Sequence, residues 1–302
     1  MKNQPQKILI IGSSNTDMVI TTEEFPKPGE TIFGRQFIMN PGGKGANQAV
    51  AATRLGAVVS FVIKTGKDVF GSYTLAALRH EGIDTSNIIK TSAHQSGVAL
   101  ITVNAQGENT IVVASGANMQ LVPEEINEAL LKSAGIILLQ LEIPMKTIEH
   151  IVHTAKKYDC KLVLNPAPAI AIPASILHGL FLITPNETET EIITGIYPDT
   201  LPAMKKAGKY FLKKGVQNVI ITVGERGAFL MNADHSILIP SPLVTPVDTT
   251  AAGDTFNGAI VTALAEGMDL PAACAFACKA ASISVTRLGA QSSAPFRKEI
   301  LN

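Results

Sequence analysis

Short apolar runs alternate with longer amphipathic stretches through most of the chain. Apolar runs of about four to eight residues are typical of buried strands, whereas amphipathic stretches of roughly ten or more residues favour helices. The alternation predicts βα units arranged around a mainly parallel sheet, an α/β fold. The predicted strands are Lys7–Ile11, Ser60–Ile63, Ile136–Leu141, Lys161–Leu164, Leu180–Ile183 and Asn218–Val223.

The amphipathic stretches predict helices that end at a glycine or a polar turn. Glycine just past a helix end supplies the left-handed residue that closes many helices. The later part of the chain, from Gly253 onward, changes to two long helices in succession. The predicted helices are Asn47–Leu55, Phe70–Glu81, Met145–Tyr158, Asn186–Thr194, Leu201–Lys214, about Gly253–Glu266, and Leu270–Thr286.

Two regions rich in β-branched residues, Asp17–Met39 and Gly97–Ala114, interrupt this alternation. Within the second region, Val98–Val103 and Thr110–Val113 flank the turn sequence 104–107, which predicts a hairpin. The two regions, about 15–40 and 97–114, predict a small β-sheet that projects from the main sheet. It could be a lid over a site, a surface that pairs two subunits, or an insertion without a function.

The length of the chain favours one large domain spanning residues 1–302, to which a small accessory element could be added. Lysine plus arginine equals aspartate plus glutamate at 25 each, so no long-range field favours nucleic acid or an anionic membrane. The segment Met1–Lys7 lacks the apolar run of a signal peptide, and no stretch approaches the ~20 apolar residues that cross a bilayer. We expect a cytoplasmic protein whose partners are small molecules, without nucleic-acid or membrane partners.

The three cysteines do not indicate a disulfide framework. Cys274 and Cys278 are close enough on a predicted helix to share a ligand, but they lie among alanines. A structural zinc site needs four ligands, and no further Cys or His stands nearby. Both cysteines are therefore interpreted as small residues that pack in the core.

Polar residues cluster where the predicted strands end. In open α/β sheets, ligands bind beyond the carboxyl ends of the strands. Each such segment alone is typical of an ordinary turn. The polar segments are Gly12–Asp17, Gln140 with Glu142, Asn165–Pro168, Thr184–Glu189 and Thr222–Gly227. Their convergence on one edge of the sheet predicts a binding site there.

The most informative motif is Val247–Ala259, which places a carboxylate at the expected start of a helix. Ala251, Ala252 and Gly253 leave the peptide N–H groups unobstructed, and a helix N-terminus carries about half a positive charge. The segment can therefore bind a phosphate without a basic side chain. Asp254 could accept the proton of an alcohol beside that phosphate, although an isolated Asp at such a position is more often a helix cap.

The segment Gly42–Gln48 resembles a P-loop only superficially, because Gly45 follows Lys44 where Ser or Thr is required and no strand is predicted directly before it. Paired glycines allow a ligand to approach the backbone, and Lys44 and Asn47 supply donors for hydroxyl groups. This favours binding of a polyol. The absence of a G-x-G-x-x-G fingerprint after the first strand argues against a dinucleotide oxidoreductase, and the absence of G-x-S-x-G argues against an acyl hydrolase.

Five motifs in order carry a resemblance that covers nearly the whole chain: Asn15-x-Asp17, Gly42–Ala49, Asn165–Pro168, Asn186–Glu189 and Asp248–Ala259. On these motifs the chain resembles the PfkB family of sugar kinases, and in particular the branch that phosphorylates ribose. The resemblance implies a Rossmann-like α/β domain with a β-sheet lid that often forms a homodimer. It further implies transfer of the γ-phosphoryl group of ATP to the 5-hydroxyl of D-ribose, with Mg²⁺ required and K⁺ as activator.

The resemblance also implies a role for individual residues. Those that would hold the sugar hydroxyls are Asn15, Asp17, Gly43, Lys44, Asn47 and Glu142. The general base would be Asp254, beside an anion hole formed by Ala251, Ala252 and Gly253. Those that would meet the nucleotide are Asn186, Thr222, Gly224, Gly227, Gly253 and Cys278. Glu189 would organise Mg²⁺ through water, and the K⁺ site would use Asp248, Thr250, carbonyl groups near Ser284, Arg287 and Gly289, and the Ser293 side chain.

Cys278 departs from the family, which has a polar ring or an amide at this position near the adenine. Three alternatives stay open beside ribose phosphorylation: a kinase for deoxyribose or fructose, a kinase for a nucleoside, and a sugar-binding sensor without catalysis. A nucleoside would favour aromatic stacking, and the chain has no tryptophan and only four tyrosines. Retention of Asp254 and the glycine turn argues against a sensor.

Overall fold

The computed structural model describes residues 5–301, in which the predicted alternation of strands and helices is present. Every predicted strand of the main sheet forms, with ends that differ by a few residues. The strands in chain order are β1 (Ile8–Ile11), β2 (Asn15–Thr21), β3 (Gln36–Gly42), β4 (Val59–Val62), β5 (Lys64–Gly66), β6 (Ile89–Thr91), β7 (Gly97–Val103), β8 (Asn109–Ala114), β9 (Ile136–Leu139), β10 (Lys161–Leu164), β11 (Leu182–Ile183), β12 (Asn218–Thr222), β13 (Ala228–Met231) and β14 (Ser236–Ile239).

All predicted helices also form, and three short helices are added to them. The helices are α1 (Lys44–Arg54), α2 (Val69–His80), α3 (Glu128–Ser133), α4 (Met145–Ala155), α5 (Ala174–Leu177), α6 (Glu187–Thr194), α7 (Leu201–Lys213), α8 (Ala252–Ala265), α9 (Leu270–Ser284) and α10 (Arg297–Leu301). Within residues 5–301, none of them combines the length and the apolar composition needed to cross a membrane.

The main sheet has eight strands in the order β14-β13-β12-β11-β10-β9-β1-β4. Neighbouring strands from β4 to β12 are parallel, whereas β13 and β14 are antiparallel additions at one edge. These two edge strands are absent from the sequence prediction. The mainly parallel sheet flanked by helices confirms the predicted fold class.

The central strands of the main sheet are buried on both faces, which is why they consist of continuous apolar runs. Successive strand residues point to opposite faces. Ile8 and Ile10 therefore pack with helices α1, α8 and α9, whereas Leu9 and Ile11 pack with α4 and α7 on the other face. The first of these helical layers contains α1 and α8, which carry the two glycine motifs.

A separate four-stranded sheet has the order β3-β2-β7-β8, within residues 15–42 and 97–114. The predicted hairpin is present as the antiparallel pair β7 and β8, with Val103 opposite Asn109. Strand β3 ends at Gly42, and α1 begins at Lys44 after the N-cap Gly43. The expectation that no strand leads directly into the glycine motif is therefore wrong, because the strand preceding it belongs to this smaller sheet.

Helix α1 starts three residues before its predicted start at Asn47, because Gly43 permits a turn that hydrophobic periodicity does not reveal. Gly43 has φ of 89°, and a Cβ atom there would lie 2.7 Å from the Asn15 backbone nitrogen. Only glycine fits this left-handed, crowded position. The turn directs α1 back across the end of β1 and brings its first residues toward α8.

Candidate active site

Residues from the ends of several strands converge on one cavity, as the polar segments predicted. The cavity has a volume of about 150 Å³ and lies at the N-terminus of α8. Its lining includes Lys44, Asn165, Ala167, Thr184, Asn186, Glu189, Thr222, Thr249, Ala251, Ala252, Gly253, Asp254 and Asn257. The structure thus brings the α8 motif, the lysine of α1 and the Asn-x-x-Glu motif to the same place.

Asp254 lies in the first turn of α8 and is 6% exposed. Its Oδ2 atom accepts a hydrogen bond from Asn47 Nδ2 at 2.9 Å, and its Oδ1 atom accepts one from Gln48 Nε2, also at 2.9 Å. Asp254 therefore does not cap the helix with its side chain. Helix α8 instead begins at Ala252, after the N-cap residue Ala251, which makes no side-chain cap.

The peptide groups before Asp254 form a concave N-terminus. Ala251 has φ of 58°, a left-handed conformation that costs a non-glycine residue roughly 1–2 kcal/mol. Among residues 5–301, the N–H groups of Ala251, Gly253 and Asp254 have no hydrogen-bond partner, whereas the N–H of Ala252 donates to the Thr249 carbonyl at 3.3 Å. Successive free N–H groups of this kind form anion-binding concavities. The free groups support the predicted anion hole, with Ala252 contributing less than expected.

A buried chain of polar side chains supports this N-terminus. The Asn257 amide donates to the Gly253 carbonyl at 2.8 Å, and Thr184 Oγ1 donates to Asn257 Oδ1 at 2.6 Å. Asn165 Nδ2 donates to the Thr184 carbonyl at 3.2 Å. These residues couple the ends of β10 and β11 to the start of α8. The sequence placed Asn165 and Thr184 at strand ends without giving either a role.

The residues predicted to hold a sugar lie where β1, β2 and α1 meet. Glu142 accepts hydrogen bonds from Ser13 Oγ and, at 3.1 Å, from the Lys44 backbone nitrogen. Asn15 Oδ1 accepts from Asn118 Nδ2 at 2.8 Å. Sequence reasoning missed Asn118, because it lies in a short 3-10 turn that carries no recognisable motif.

Electrostatic interactions among the charged groups here are strong. Burial, with repulsion from Glu142 and Asp254, raises the pKa of Asp17 to about 6. Attraction to Asp254 raises the pKa of Lys44 above its usual value, against the opposing effect of burial. Burial likewise raises the pKa of Glu189. Perturbed groups concentrated in one cleft are typical of a functional site.

The side chain of Asn47 has an unpaired hydrogen-bond acceptor close to Asp254. Its Oδ1 atom is buried and has no hydrogen-bond partner within residues 5–301. A buried unpaired acceptor is unfavourable unless another group satisfies it. A ligand hydroxyl that donates to Asn47 would remove this cost.

A second cavity, of about 300 Å³, begins on the other side of Gly253. It shares Asn186, Thr222, Ala252 and Gly253 with the first cavity, so the two are continuous. Its remaining lining is Glu187, Thr188, Gly224, Gly227, Ser241, Phe256, Cys278 and Ala281. All residues predicted to meet the nucleotide therefore line this cavity. Cys278 faces the cavity as well as the core, and Cys274 lies entirely in the core.

Glu189 belongs to the capping box of α6. It accepts from the Asn186 backbone nitrogen at 2.9 Å and from Asn186 Nδ2 at 3.1 Å, and its own N–H donates back to Asn186 Oδ1 at 2.8 Å. Glu189 is thus held at the cavity wall by its neighbour in the motif. The sequence predicted its place correctly but not this capping interaction.

The predicted cation residues lie in two loops joined by Asp248. The Asp248 carboxylate accepts from the N–H of Thr250 at 2.9 Å and from the N–H of Gly289 at 2.8 Å. Burial raises the pKa of Asp248, but the hydrogen bonds outweigh burial and the net pKa is lowered. Ser284 and Ser293 hydroxyls donate to nearby carbonyls, and the Arg287 side chain forms an ion pair with Glu299. Within this set, Asp248 contacts Thr250 and Gly289, and the N–H of Arg287 donates to the Ser284 carbonyl at 3.1 Å.

Comparison with known proteins extends the description from these cavities to the whole chain. A model of pfkB family carbohydrate kinases matches residues 5–297. The chain is 45% identical to the ribokinase of Haemophilus influenzae, in an alignment that covers 97% of both proteins. It is 40% identical to the deoxyribokinase of Salmonella typhi, in an alignment that covers 95% of both proteins. The solved structure of Arabidopsis thaliana ribokinase complexed with ribose and ATP matches with a TM-score of 0.92 and 32% identity, covering 99% of this chain and 98% of that one.

Proposed function

The chain belongs to the pfkB family of carbohydrate kinases, and we propose that it transfers the γ-phosphoryl group of ATP to the 5-hydroxyl of D-ribose. It is accordingly a phosphotransferase that acts on a sugar hydroxyl. The observation that carries the proposal is the buried Asp254 carboxylate, which lies beside free peptide N–H groups between two continuous cavities. The relatives and the solved complex named above support ribose and ATP as the ligands.

The acceptor would bind beside β2 and the start of α1. Asn15, Asp17 and Glu142 supply acceptors, and the charged Lys44 supplies donors for sugar hydroxyls. The unpaired Oδ1 atom of Asn47 would accept from one further hydroxyl. Gly43, whose missing side chain lets its backbone pack against Asn15, would contact the sugar through its peptide group. This arrangement would direct one hydroxyl of the sugar toward Asp254.

Phosphoryl transfer requires the protein mainly to align oxygens and to stabilise spreading negative charge. The free N–H groups of Ala251, Gly253 and Asp254 would interact with the transferring group, a role in which one preorganised donor is typically worth about 3–4 kcal/mol. Asp254 would orient the attacking hydroxyl and accept its proton, a contribution of roughly 10²–10⁴-fold. The nucleotide would extend into the cavity lined by Gly224 and Cys278.

The oxygen ligands available at this cavity fit Mg²⁺. When bound, the ion supplies positive charge that stabilises the phosphate oxygens. Within residues 5–301 no three acidic, His or Cys side chains form a metal-binding cluster. This fits an ion that retains several waters and takes oxygens from phosphates rather than from a protein cage. Glu189, at the wall of the cavity, would hold it through water.

The region around Asp248 fits K⁺, which when bound supplies charge that stabilises the loops next to α8. Asp248 is partly buried, and no lysine or arginine of residues 5–301 pairs with it. The remaining oxygens would come from Thr250, from the carbonyls near Ser284, Arg287 and Gly289, and from Ser293. Replacing K⁺ by Na⁺ is expected to lower kcat, and an unchanged rate would argue against this role.

We propose that the four-stranded sheet is both a lid over the acceptor and the contact between two copies of the chain. Strand β8 is exposed along its whole length and carries Ile111, Val112 and Val113. Phe37 and Leu100, on β3 and β7, are 60% and 55% exposed. Large exposed apolar patches of this kind mark interaction sites. Sedimentation is expected to give twice the chain mass of 31.9 kDa, whereas the single mass would contradict the dimer.

ADP release in the presence of ATP and a panel of acceptors tests the function. D-ribose, 2-deoxyribose, fructose and a nucleoside would be compared, and the position of the phosphate would be read by NMR. We expect the highest kcat/KM with D-ribose and phosphate on the 5-oxygen. The deoxyribokinase relative makes 2-deoxyribose the second candidate. Sugar binding without ADP release would instead indicate a sensor.

A further inference from the structure

We propose that Gln48 is a positioning residue that fixes the orientation of the Asp254 carboxylate for the reaction proposed above. Gln48 lies in α1 and is fully buried. It does not line either cavity of the cleft. The inference rests on the proposed function, because a positioning role requires Asp254 to act as the base.

Both N–H groups of the Gln48 side-chain amide donate hydrogen bonds within the protein. Its Nε2 atom donates to Asp254 Oδ1 at 2.9 Å and to Asn165 Oδ1 at 3.0 Å. Its Oε1 atom accepts from Gln140 Nε2 at 2.6 Å. No N–H of this amide remains for a sugar or a phosphate. Gln48 can therefore affect the reaction only through the residues to which it is hydrogen-bonded.

The surrounding groups allow only one orientation of this amide. Rotation by half a turn would place Gln48 Oε1 against the oxygens of Asp254 and Asn165. Two acceptors facing each other in a buried site leave both without a donor, which is costly. Gln140, which is also fully buried, holds the opposite end of the amide. The Gln48 amide is thus held at both ends by buried hydrogen-bond partners, which restricts its rotation.

The close packing of α1 against α8 brings Gln48 within reach of Asp254. Gly258 faces α1, and a Cβ atom at this position would lie 2.7 Å from the Gln48 carbonyl oxygen and 2.7 Å from the Ala51 Cβ atom. A larger residue would separate the helices. The motifs Gly42–Ala49 and Asp248–Ala259 thus meet through a glycine contact that also sets the length of the Gln48 hydrogen bond.

The chemistry of a general base explains why this orientation matters. Asn47 binds Oδ2 of Asp254 and Gln48 binds Oδ1, so rotation of the carboxylate would break both bonds. The remaining lone pairs then point in fixed directions toward the acceptor. A misplacement of about 1 Å can reduce a rate by about 10²-fold.

Two substitutions at one position test the proposal. Gln48→Glu keeps the shape and the acceptor for Gln140, but replaces the donor to Asp254 with a second carboxyl group. Two interacting carboxyl groups titrate as a pair, and their ionisation moves to higher pH. Gln48→Met keeps the length and removes all three hydrogen bonds. Val50→Ala is the matched control, because Val50 is buried in the same helix and belongs to the apolar core.

We expect kcat with D-ribose to fall by about 10²-fold in both Gln48 variants, with a smaller change in KM. The acid limb of the kcat profile should move upward by about one pH unit or more in Gln48→Glu. Val50→Ala should lower the thermal unfolding midpoint while leaving that limb in place.

Two results would overturn the proposal. One is a kcat within about threefold of the unchanged protein in either folded variant. The other is a reduced kcat with an unshifted acid limb in Gln48→Glu, which would make Gln48 a packing residue like Val50. If Gln48→Met does not fold, the near-isosteric Gln48→Glu decides alone. Failure of the unchanged protein to release ADP with any sugar would reject the proposed function itself, and this result is distinct from both.

Discussion

The two halves of the cleft that meet at Asp254 differ in charge, burial and packing. The acceptor half, defined by Asn15, Asp17, Lys44 and Glu142, contains interacting charges with perturbed pKa values. The donor half, the cavity of about 300 Å³ lined by Gly224 and Cys278, has mostly small residues and no charged side chain except Glu187.

This difference indicates how each ligand is selected. A site built from buried polar groups rejects an analogue that lacks a matching hydroxyl, because its own groups are then left unpaired. A cavity lined by glycine and small side chains binds mainly through backbone groups and shape. We infer that discrimination among sugars is strong and that single side chains in the donor half contribute little.

The largest expected effect is at the junction of the two halves. Asp254→Asn should lower kcat by roughly 10²–10⁴-fold, because the amide cannot accept the proton of the hydroxyl. Binding of D-ribose, measured by calorimetry, should change much less. The substitution is nearly isosteric, although Asn47 and Gln48 would then face an amide instead of two carboxylate oxygens.

Asp269→Asn is the matched control for that substitution. Asp269 is an exposed N-cap at the start of α9, and Asn is an equally good residue at that position. Its kcat should equal that of the unchanged protein. Retention of most of the activity by Asp254→Asn would show that the base lies elsewhere, and the division of the cleft at this residue would have to be abandoned.

The sequence was sufficient for the fold class and for the segments that converge on the two cavities, but not for Ser241 and Ala281, which also line the second cavity. Periodicity predicts the buried strands, and the motif Val247–Ala259 predicts the start of α8, whereas a strand directly before Gly43 was not expected. It was not sufficient for contacts between distant segments. The hydrogen bonds of Gln48 with Asn165 and Asp254 span 117 and 206 residues of sequence. No local pattern encodes such pairs, since they depend on how closely α1 packs against α8.

The edge strands β13 and β14 show a second limit. Their short apolar segments follow β12 after only a few residues, so they do not resemble a βα unit. They are antiparallel, and they extend the sheet next to the donor half through Ser241. Predicting them requires the turn geometry around Gly227, whose φ of 102° is not evident from composition.

The second expected effect concerns the acceptor half and its pH dependence. Asp17 has a pKa of about 6, raised by burial and by Glu142 and Asp254. Above this pH it is ionised and accepts hydrogen bonds from hydroxyls, whereas below it the carboxyl group is protonated. The KM for D-ribose should therefore rise as the pH falls, by about tenfold at pH 5 relative to the plateau above pH 7.

Asp17→Asn separates this titration from other effects of acid. In this variant the KM for D-ribose should be raised at every pH, because about one charged hydrogen bond is lost. The ionisation of residue 17 should no longer make the KM vary between pH 5 and 7. Glu108→Gln, in the exposed turn between β7 and β8, is the control and should keep the pH dependence of the KM. A KM for D-ribose that is independent of pH in the unchanged protein would contradict the difference in charge between the two halves.

The smallest expected effect is in the donor half, and it tests whether side chains there select the nucleotide. Cys278→Ser changes polarity with little change in volume, so the KM for ATP should stay within about twofold. Cys278→Leu extends into the cavity and should raise the KM for ATP by about fivefold without changing the KM for D-ribose. Cys160→Ser, at a half-buried cysteine far from the cleft in the fold, controls for loss of a thiol. A change above about tenfold in Cys278→Ser would mean that the thiol itself contributes to nucleotide recognition, and selection would then depend on side chains in both halves of the cleft.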